Sequence, residues 1–573
     1  MTKSSMHTSG EDGRPGLRDW RAMMQPERLA AIQPSRFSGA RAFMAKMIRE
    51  RWDINIQRFD VNANAEGTAV YSIKSPTQEF SFIAFSYAPS REGRTGRIIG
   101  RAWDMKGTLN EGPATEADIT HAREQLPLLY RGRATPNALI WCRSNRSMRV
   151  FDATLNALAE GHQPSIEDIN SVCYLMRNTG LDGNGTFGTR PFPSLGASHV
   201  MGGMLEAQLL VAYLMREFSC DLVEHLARHK SDKAVPLDPA LRRFIGVGNG
   251  SALGLIFFVQ KHPRLIDSWL TARETAIAEA LAMELGLGDP RFDILITLIR
   301  RAAVFREQDR MRYETFTSST QIALDLRSLL PLLAELRDKG TLRGHVTRFE
   351  LDALARDAEA SLAPESYETL LSMMIELVPD RTDALLTGIG GADEFTVDPV
   401  MTAGELAAVI DTEYDWALTT DMTAASARDY VWYKSETAEE PRRGLREEAP
   451  DARDLGLDLP GDIQRLRADL AAAPADQPMA LFLLSHPAHR QMVGRVQGLR
   501  RRYFHSPHAN INATDFVPID LVRLMNVALH GIDKTRDFLQ RNLRGVLYHG
   551  APTRDDIRAG HGAGWFYPEE PCQ

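Results

Sequence analysis

The feature that most constrains the fold is a long apolar helix, predicted from about residue 201 to residue 229. Apolar side chains recur at helical spacing, and they cover more than one stripe of the helix surface. A helix at the surface of a protein needs only one such stripe, so this helix must be buried on several sides. The apolar positions are Met204, Leu205, Leu209, Leu210, Ala212, Tyr213, Phe218, Leu222 and Leu226. The sequence therefore predicts a large helical domain around this segment.

Length and composition define the broad class of protein. A chain of 573 residues exceeds the size of a single hydrophobic core, so several domains are expected. The content of 43% hydrophobic and 25% charged residues is ordinary for a globular protein. The formal net charge of -8 argues against a nucleic-acid partner, because nucleic-acid binders usually carry a basic domain. The four cysteines form no CxxC pair and fit a reducing compartment.

The polar first residues and the short apolar runs bear on location. Residues 1–16 lack the apolar segment of a signal peptide. The longest apolar stretches, such as 207–215 and 251–260, fall short of the roughly 18–20 residues that span a membrane. We therefore expect a cytoplasmic protein without a membrane partner. The large apolar helical content favours a homo-oligomer.

Before the long helix, the hydrophobic period is that of strands. In residues 69–73 and 80–87, β-branched and aromatic side chains partly alternate with small or polar ones. The Ser-Pro-Thr-Gln sequence between them supplies turn residues, so the two runs predict a β-hairpin. Residues 97–103 and 139–142 are further candidates for strands.

From about residue 150 the period is 3.6 residues nearly throughout, which predicts a succession of helices. Ser165 is typical of a helix N-cap, and the helix that it opens is expected to reach Arg177. The predicted fold class is therefore mostly α, with a large helical central domain. An N-terminal α+β section carries the antiparallel hairpin, and a mixed, mainly helical region ends the chain.

Shifts in composition predict the domain organisation. Residues 436–463 are charged and rich in proline and glycine, which is typical of a linker or a long surface loop. The predicted segments are a disordered tail (1–16), an α+β N-terminal domain (17–160), a helical core domain with two glycine-rich turns (161–435), the charged linker or lid loop (436–463) and a mixed C-terminal region (464–573).

Two glycine-rich segments each lead into a predicted helix. The first follows Arg177 and Asn178, and the second covers residues 246–254. Such segments bring backbone N–H groups and the positive end of a helix close to a bound anion. The alternatives are a sharp loop in which the glycines supply positive φ, and a helix N-cap formed by Asn249 or Ser251.

The letters of the GxGxxG motif occur at residues 183–188, but their context does not predict a dinucleotide site. That motif follows a strand, whereas the residues before it here have the period of a helix. The P-loop pattern GxxxxGK[ST] does not occur in the chain. The first glycine-rich segment is therefore interpreted as a general anion site.

We expect the two glycine-rich segments to face one pocket that binds a small anionic substrate. Arg146 belongs to a run of arginines at three-residue steps, which could hold a carboxylate or phosphate or form a surface strip. Trp432 and Tyr433 precede the charged loop and could form a lid or cover a domain edge. The predicted substrate-binding residues are Arg146, Arg177, Asn178, Asn184, Arg190, Asn249, Ser251, Trp432 and Tyr433.

Two histidines are the candidates for proton transfer. His262 ends the short helix that follows the second glycine-rich segment. His489 lies in a late cluster with His486, where a histidine paired with an aspartate could act as a general base. The spacing of these residues does not establish that any such pair is in contact.

Asp221, His225 and His229 share one face of the long helix and are the weaker candidates for a metal site. The alternative is a solvated or salt-bridged face, with His229 favourable near the C-terminal end of the helix. The preferred interpretation is that no metal is bound, and the sequence identifies no cofactor.

The favoured hypothesis is a cytoplasmic enzyme that acts on a carboxylate, phosphate or acyl-thioester with histidine-mediated proton transfer. A lyase or an oxidoreductase is favoured over a hydrolase, because the GxSxG elbow is missing and no cysteine has the setting of a nucleophile. The first alternative is a non-catalytic helical assembly protein whose contacts include the aromatic residues 564–567. The second is a metalloenzyme that uses the Asp/His face of the long helix.

Overall fold

The structure is a computed structural model that describes most of the chain between residues 35 and 562. The described residues are 18, 20–23, 28, 35–88, 103–125, 138–147, 149–183, 199–201, 203, 205–249, 265–307, 317–339, 348–387, 389, 397–425, 427, 431–434, 442–443, 455–499, 545–562, 564–565, 567 and 571.

An eight-stranded, curled, mixed sheet dominates the N-terminal half of the chain. Its strands are β1 (Asp53–Val61), β2 (Gly67–Lys74), β3 (Glu79–Ser86), β4 (Met105–Glu111), β5 (Ala138–Arg146), β6 (Tyr174–Gly183), β7 (Gly246–Asn249) and β13 (Gly545–Leu547). They lie in the order β1-β2-β3-β4-β5-β6-β7-β13, and all neighbours are antiparallel except β6 and β7, which are parallel. The prediction of a mostly α fold was therefore wrong, because this sheet is a substantial part of the protein.

Smaller strand pairs and numerous helices complete the described part of the chain. The remaining strands are β8 (Glu284–Gly286), β9 (Arg348–Glu350), β10 (Val431–Lys434), β11 (Arg442–Arg443) and β12 (Leu455–Asp458). The helices are α1 (Trp20–Met23), α2 (Gly39–Arg49), α3 (Glu116–Gln125), α4 (Val150–Ala159), α5 (Ile166–Asn170), α6 (Glu206–Lys230), α7 (Pro239–Phe244), α8 (Leu265–Leu281), α9 (Pro290–Glu307), α10 (Ser319–Lys339), α11 (Leu351–Ser361), α12 (Pro364–Met374), α13 (Pro379–Thr387), α14 (Ala403–Glu413), α15 (Asp415–Leu418), α16 (Leu459–Ala472), α17 (Met479–Ser485), α18 (Arg490–Leu499) and α19 (Arg554–Ala559).

The predicted hairpin is confirmed as strands β2 and β3, which pair antiparallel along their whole length. Ser75 fixes the turn, because its hydroxyl donates to the carbonyl of Gln78 at 2.9 Å and accepts from the N–H of Gln78 at 3.0 Å. Alternate residues of the two strands face opposite sides, so Tyr71 enters the main core while Val70 packs under α3. The predicted strand at 139–142 is also confirmed, as part of β5.

Helix α6 is the buried helix that the sequence predicts. Every residue from 207 to 223 is buried, and the helix packs against β5, β6, β7 and α4. Its side chains belong to one large hydrophobic cluster, the first core, which also holds residues from α2, the sheet, α8–α13 and the C-terminal segment. The length of α6 and its apolar surface on several sides are explained by this position in the middle of the first core.

The predicted helix from Ser165 to Arg177 was wrong in its second half. Ser165 does cap α5, because its hydroxyl accepts from the N–H of Asp168 at 3.1 Å, but α5 ends at Asn170. Cys173 then adopts a positive φ of 58°, and β6 begins at Tyr174. A short apolar run is compatible with either structure, and here the pairing with β5 and β7 decides for a strand.

A second, smaller core is formed by α14–α18. The start of α14 is fixed by a capping box, in which Thr402 and Glu405 bond to each other's backbone N–H groups. Trp416 packs against both cores and joins them. No helix in the described ranges is both long and apolar enough to cross a membrane.

Candidate functional site

The parallel pairing of β6 with β7 brings the two glycine-rich segments to one edge of the sheet. Arg177 is paired in register with Gly248, and Asn178 is paired with Asn249. The carboxyl ends of parallel neighbours lie at the same edge, which is where open α/β sheets bind ligands. Strand β7 ends beside Asn178, and β6 continues in the same direction to Gly183. We call this region the β6–β7 edge.

The helical context predicted for the GxGxxG letters at residues 183–188 was wrong. Strand β6 ends at Gly183, so a strand does precede these residues. The residues that would form the phosphate-binding turn and the following helix, 184–198, lie outside the described residues. The motif therefore remains a weak signal for a site that binds a phosphate or another anion.

Two buried arginines lie on the strands beside this edge. The residues Arg143 of β5 and Arg177 of β6 are each only 3% exposed. Asn145 is paired in register with Arg177, and it lies two residues from Arg143 on the same strand, so all three share one face of the sheet. The Arg143 guanidinium lies 4.4 Å from the centroid of the Trp103 ring, a cation–π distance.

Arg146, the third arginine of this group, is held by the buried carboxylate of Asp104. Asp104 accepts from the backbone N–H of Arg146 at 2.9 Å and from the side-chain amide of Asn145 at 3.4 Å. The Arg146 guanidinium lies 3.9 Å from Asp104 and stacks over Phe151 at 4.8 Å. Its interactions tie the start of α4 to the sheet, so a structural role accounts for the contacts of this residue.

Ser144 and Asn178 are fully buried polar residues that pair with each other, and they face the opposite side of the sheet from Arg143 and Arg177. The Ser144 hydroxyl donates to the backbone carbonyl of Arg177 at 2.8 Å, which fixes β6 against β5. Asn178 is 0% exposed, and the burial of a side-chain amide costs free energy unless the amide is hydrogen-bonded. The backbone of Asn249 on β7 pairs with Asn178 in turn.

The N-terminal end of α6 lies at the same edge of the sheet. His199 Nε2 is 2.8 Å from the carboxylate of Glu111 at the end of β4, and the N–H of Val200 donates to Gln78 in the β2–β3 turn. At the other end of α6, His225 bonds to the carbonyl of Val61, at the opposite edge. Because strands alternate in direction, the end of β4 and the β2–β3 turn share the edge at which β6 ends.

Gln208 in the first turn of α6 is a residue that the sequence analysis missed. Its side chain is 0% exposed, and neither its amide nitrogen nor its amide oxygen has a hydrogen-bond partner in the described structure. Unsatisfied buried amides are rare because they cost roughly 1–3 kcal/mol. No sequence pattern identified Gln208 as a candidate, because a single glutamine is an ordinary interruption of the hydrophobic pattern of an apolar helix.

Packing explains part of the glycine content that the sequence analysis assigned to anion binding. A Cβ atom on Gly246 would lie 2.6 Å from the carbonyl oxygen of Leu547, because β13 passes close to β7. A Cβ atom on Gly248 would lie 2.9 Å from the ring of Tyr174. These two glycines are therefore required by the close approach of neighbouring chain segments.

Asp221, His225 and His229 do not converge as metal ligands. Asp221 accepts hydrogen bonds from Arg242 and Arg554, both at 2.7 Å. Burial alone would raise the pKa of Asp221, but the two guanidinium groups lower it. His225 Nε2 bonds to a backbone carbonyl, and His229 Nδ1 lies 3.0 Å from the carbonyl of His225. The face is salt-bridged and hydrogen-bonded, as the alternative interpretation described.

Arg216 of α6 anchors the C-terminal segment to the first core. Its side chain is 0% exposed, and its guanidinium also pairs with Glu217 at 3.0 Å. The five backbone carbonyls to which it donates belong to Arg242, Arg243, Ile245, Ala551 and Pro552. This residue positions β7 and β13, and thereby the β6–β7 edge.

His489 packs against Phe482 of the second core. Its Nε2 atom is 2.6 Å from the carboxylate of Asp469, on α16. A histidine–aspartate pair therefore exists, with an aspartate that the sequence analysis did not consider. Trp432 and Tyr433 lie in β10, which pairs with β11 and β12 in a small sheet. The remaining candidates, Asn184, Arg190, Ser251 and His262, lie outside the described residues.

The aromatic C-terminal segment packs inward. Tyr567 is 8% exposed, and the guanidinium of Arg41 lies 5.2 Å from the ring of Trp565. Together with α7 and Gly550–Pro552 of the same segment, these aromatic residues line a cavity of about 720 Å³. The expectation that residues 564–567 are exposed contacts for a partner is not met by Trp565 and Tyr567.

The fold and the site define a mixed α/β protein with a polar, arginine-containing edge on a half-barrel sheet. No protein-family model matches the chain, and no curated protein and no solved structure matches it either. A proposal about function therefore depends on the geometry of this molecule.

Proposed function

We propose that this protein is an enzyme that binds a small anionic metabolite at the β6–β7 edge and acts on it there. The observation that carries the proposal is the parallel pairing of Asn178 with Asn249, which brings the start of the second glycine-rich segment alongside the residues that immediately precede the first. The ligand class is a carboxylate, a phosphate or an acyl-thioester, because carboxylates and phosphates present a compact anion to donors and the CoA carrier of an acyl-thioester bears phosphates.

Arg177 is the residue that binds the anion directly in this proposal. A guanidinium group can grip a carboxylate or phosphate with two parallel hydrogen bonds, and its charge is worth more when the surroundings exclude water. Arg177 is almost fully buried, and Arg143 adds a second positive charge on the same face of the sheet. Both arginines are held on strands, so their positions are set before a ligand arrives.

The side-chain amides of Asn178 and Gln208 orient the ligand in this proposal. Asn178 supplies a buried amide at the last position where β6 pairs with β7, on the face of the sheet opposite to Arg177. Gln208 supplies a second, at the end of α6 that reaches the same edge, and its amide lacks a described hydrogen-bond partner. A buried amide without a partner is explained when its partner is a ligand or an ordered water.

Proton transfer is assigned to His262, which follows the second glycine-rich segment in the sequence. His489 is not included, because its imidazole is paired with Asp469 in the second core. His262→Ala should therefore abolish turnover and leave the affinity for the anion within about twofold of the native value. An equal loss of affinity would remove this assignment and leave the binding site intact.

The binding proposal is tested by thermal-shift measurements against a panel of organic acids, inorganic phosphate, sugar phosphates and CoA esters. Arg177→Ala should abolish the shift produced by the best anion. The control is Arg381→Ala, which removes a surface arginine that is 54% exposed and pairs only with Glu279 among the described ion pairs. If the Arg177 variant keeps the native shift, or the Arg381 variant loses it as well, the assignment of the site is wrong.

A further inference from the structure

We propose that Asp469, His486 and His489 form a binding site for a divalent transition metal ion of the zinc class. The carboxylate oxygen of Asp469 and one imidazole nitrogen of each histidine all lie within 4.8 Å of one another. The site belongs to the second core, and it is independent of the β6–β7 edge.

The distances in this group suit a small ion. The Asp469 carboxylate oxygen Oδ2 lies 2.6 Å from Nε2 of His489 and 3.8 Å from Nδ1 of His486. Zinc bonds of about 2.0–2.1 Å in a tetrahedral site place neighbouring ligand atoms about 3.3 Å apart. The separation between Asp469 and His489 must therefore widen, and the separation between Asp469 and His486 must shorten, each by less than about 1 Å. Rotation of the side chains supplies these changes without movement of the helices.

The two imidazoles are held in place by one buried ring. Phe482 is 0% exposed, and it stacks on His486 at 4.7 Å and on His489 at 6.2 Å between ring centroids. His486 is the C-cap of α17, and Pro487–His489 forms a 3-10 turn that leads into α18. The N–H of His489 donates to the carbonyl of His486, which fixes the short spacing between the two rings.

Ligand chemistry selects the class of metal. Two imidazole nitrogens and one carboxylate oxygen suit zinc, cobalt, nickel and copper, whereas magnesium and calcium prefer ligand sets made of oxygen alone. The side chains of Asp469 and His486 are 44% and 38% exposed, so solvent reaches the group. Three protein ligands with solvent access leave a fourth position for water, as in zinc sites that remain open.

A bound ion would join elements that are separate in the sequence. Asp469 lies on α16, while the two histidines lie on the connection between α17 and α18. A surface histidine–aspartate pair by itself contributes little to stability. A metal that binds only the folded chain adds stability in proportion to the logarithm of its concentration.

The experiment uses the full-length chain, stripped of metal with a chelator and then titrated calorimetrically with zinc chloride. We expect one zinc ion per chain. Loss of an outer-shell partner already lowers metal affinity about 10–100-fold, so His486→Ala and His489→Ala, which each remove a ligand, should lower it at least about 100-fold. Magnesium chloride should give no heat of binding at the same concentration. Addition of zinc should also raise the temperature of thermal unfolding.

The matched control is His162→Ala, which removes an exposed histidine paired with Glu160 at 3.2 Å. That variant should bind zinc as the native protein does. Asp469→Asn provides a nearly isosteric change that keeps the shape of the group and should also lose affinity. The proposal is overturned if the native chain binds no zinc, or if the Asp469 and His489 variants bind it with native affinity.

Discussion

Asn178 of β6 lies directly opposite Asn249 of β7 in a parallel ladder, although the whole of α6 separates the two residues along the chain. The crossover through α6 is what makes this pairing parallel, and it places the ends of both strands at one edge of the sheet. The position of β7 is in turn set by β13 on its other side. Interactions that hold β13 and β7 should therefore affect both stability and the proposed ligand site.

Gly246→Ala should destabilise the protein by about 1–3 kcal/mol, the usual cost of overpacking. The new Cβ atom would lie 2.6 Å from a backbone oxygen of β13, which has no flexible side chain to move away. Urea denaturation measures the change. The control is Gly286→Ala in β8, where nothing lies within 4 Å of the added atom. Equal stability of the two variants would contradict the close contact between β7 and β13.

Arg216→Met should be more damaging, with a loss of about 3–5 kcal/mol in the free energy of unfolding. The substitution leaves five backbone carbonyls without their shared donor and deprives the buried Glu217 of its partner on α6. Arg228→Ala, on the exposed end of the same helix, serves as the control and should change stability by less than about 0.5 kcal/mol. Similar unfolding midpoints for both variants would show that Arg216 does not anchor the C-terminal segment.

Stability should fall in acid through the titration of Glu368. Burial alone would raise the pKa of this carboxyl, but Arg18, Arg273 and Arg28 lower it from 4.5 to about 2. The folded-state pKa is thus below the ordinary value, so the stabilisation is complete above about pH 4.5 and is lost as the pH falls towards 2. The shift corresponds to about 3 kcal/mol.

Urea unfolding between pH 2.5 and 6 measures this dependence on pH. Glu368→Gln should be less stable than the native chain at pH 6, and the difference should shrink towards pH 2.5 as the Glu368 carboxyl of the unfolded native chain becomes protonated. Glu116→Gln, which alters a side chain that is 81% exposed, should retain the native profile. A constant difference between Glu368→Gln and the native chain across the range would contradict the prediction.

Trp565→Ala should lower stability by about 2 kcal/mol, less than the 3–5 kcal/mol of a fully buried tryptophan because this ring is only partly buried. The indole N–H donates to the carbonyl of His549 at 3.1 Å, and the ring stacks on Tyr548. Leu484→Ala removes a side chain that is 79% exposed and should be nearly neutral in thermal unfolding. Loss of self-association with unchanged stability would instead favour the assembly role predicted from the sequence.

Local patterns predicted much of the secondary structure. The apolar surface of α6 on several sides predicted its burial, and the alternation on both sides of Ser75 predicted the β2–β3 hairpin, because each pattern is complete within one segment. The start of α14 likewise depends on residues of one segment, the capping box of Thr402 and Glu405. Such features depend on residues that are close together in the sequence, so the sequence alone is enough to predict them.

Pairings between distant segments could not be predicted in the same way. The strand character of β6 depends on β5 and β7, and residues 174–178 alone do not reveal either neighbour. The requirement for glycine at Gly246 comes from Leu547, which is about three hundred residues away in the numbering. Asp469 as the partner of His489 has the same origin, since α16 and the turn before α18 meet only in the folded chain.

The most direct test of the central claim is a crystal structure of the protein with the anion that gives the largest thermal shift. The account predicts density for the anion at the β6–β7 edge, within hydrogen-bonding distance of Arg177 and of the Asn178 or Gln208 amide. Density for the anion elsewhere, for example in the cavity beside Trp565, with no ligand at the β6–β7 edge, would contradict it.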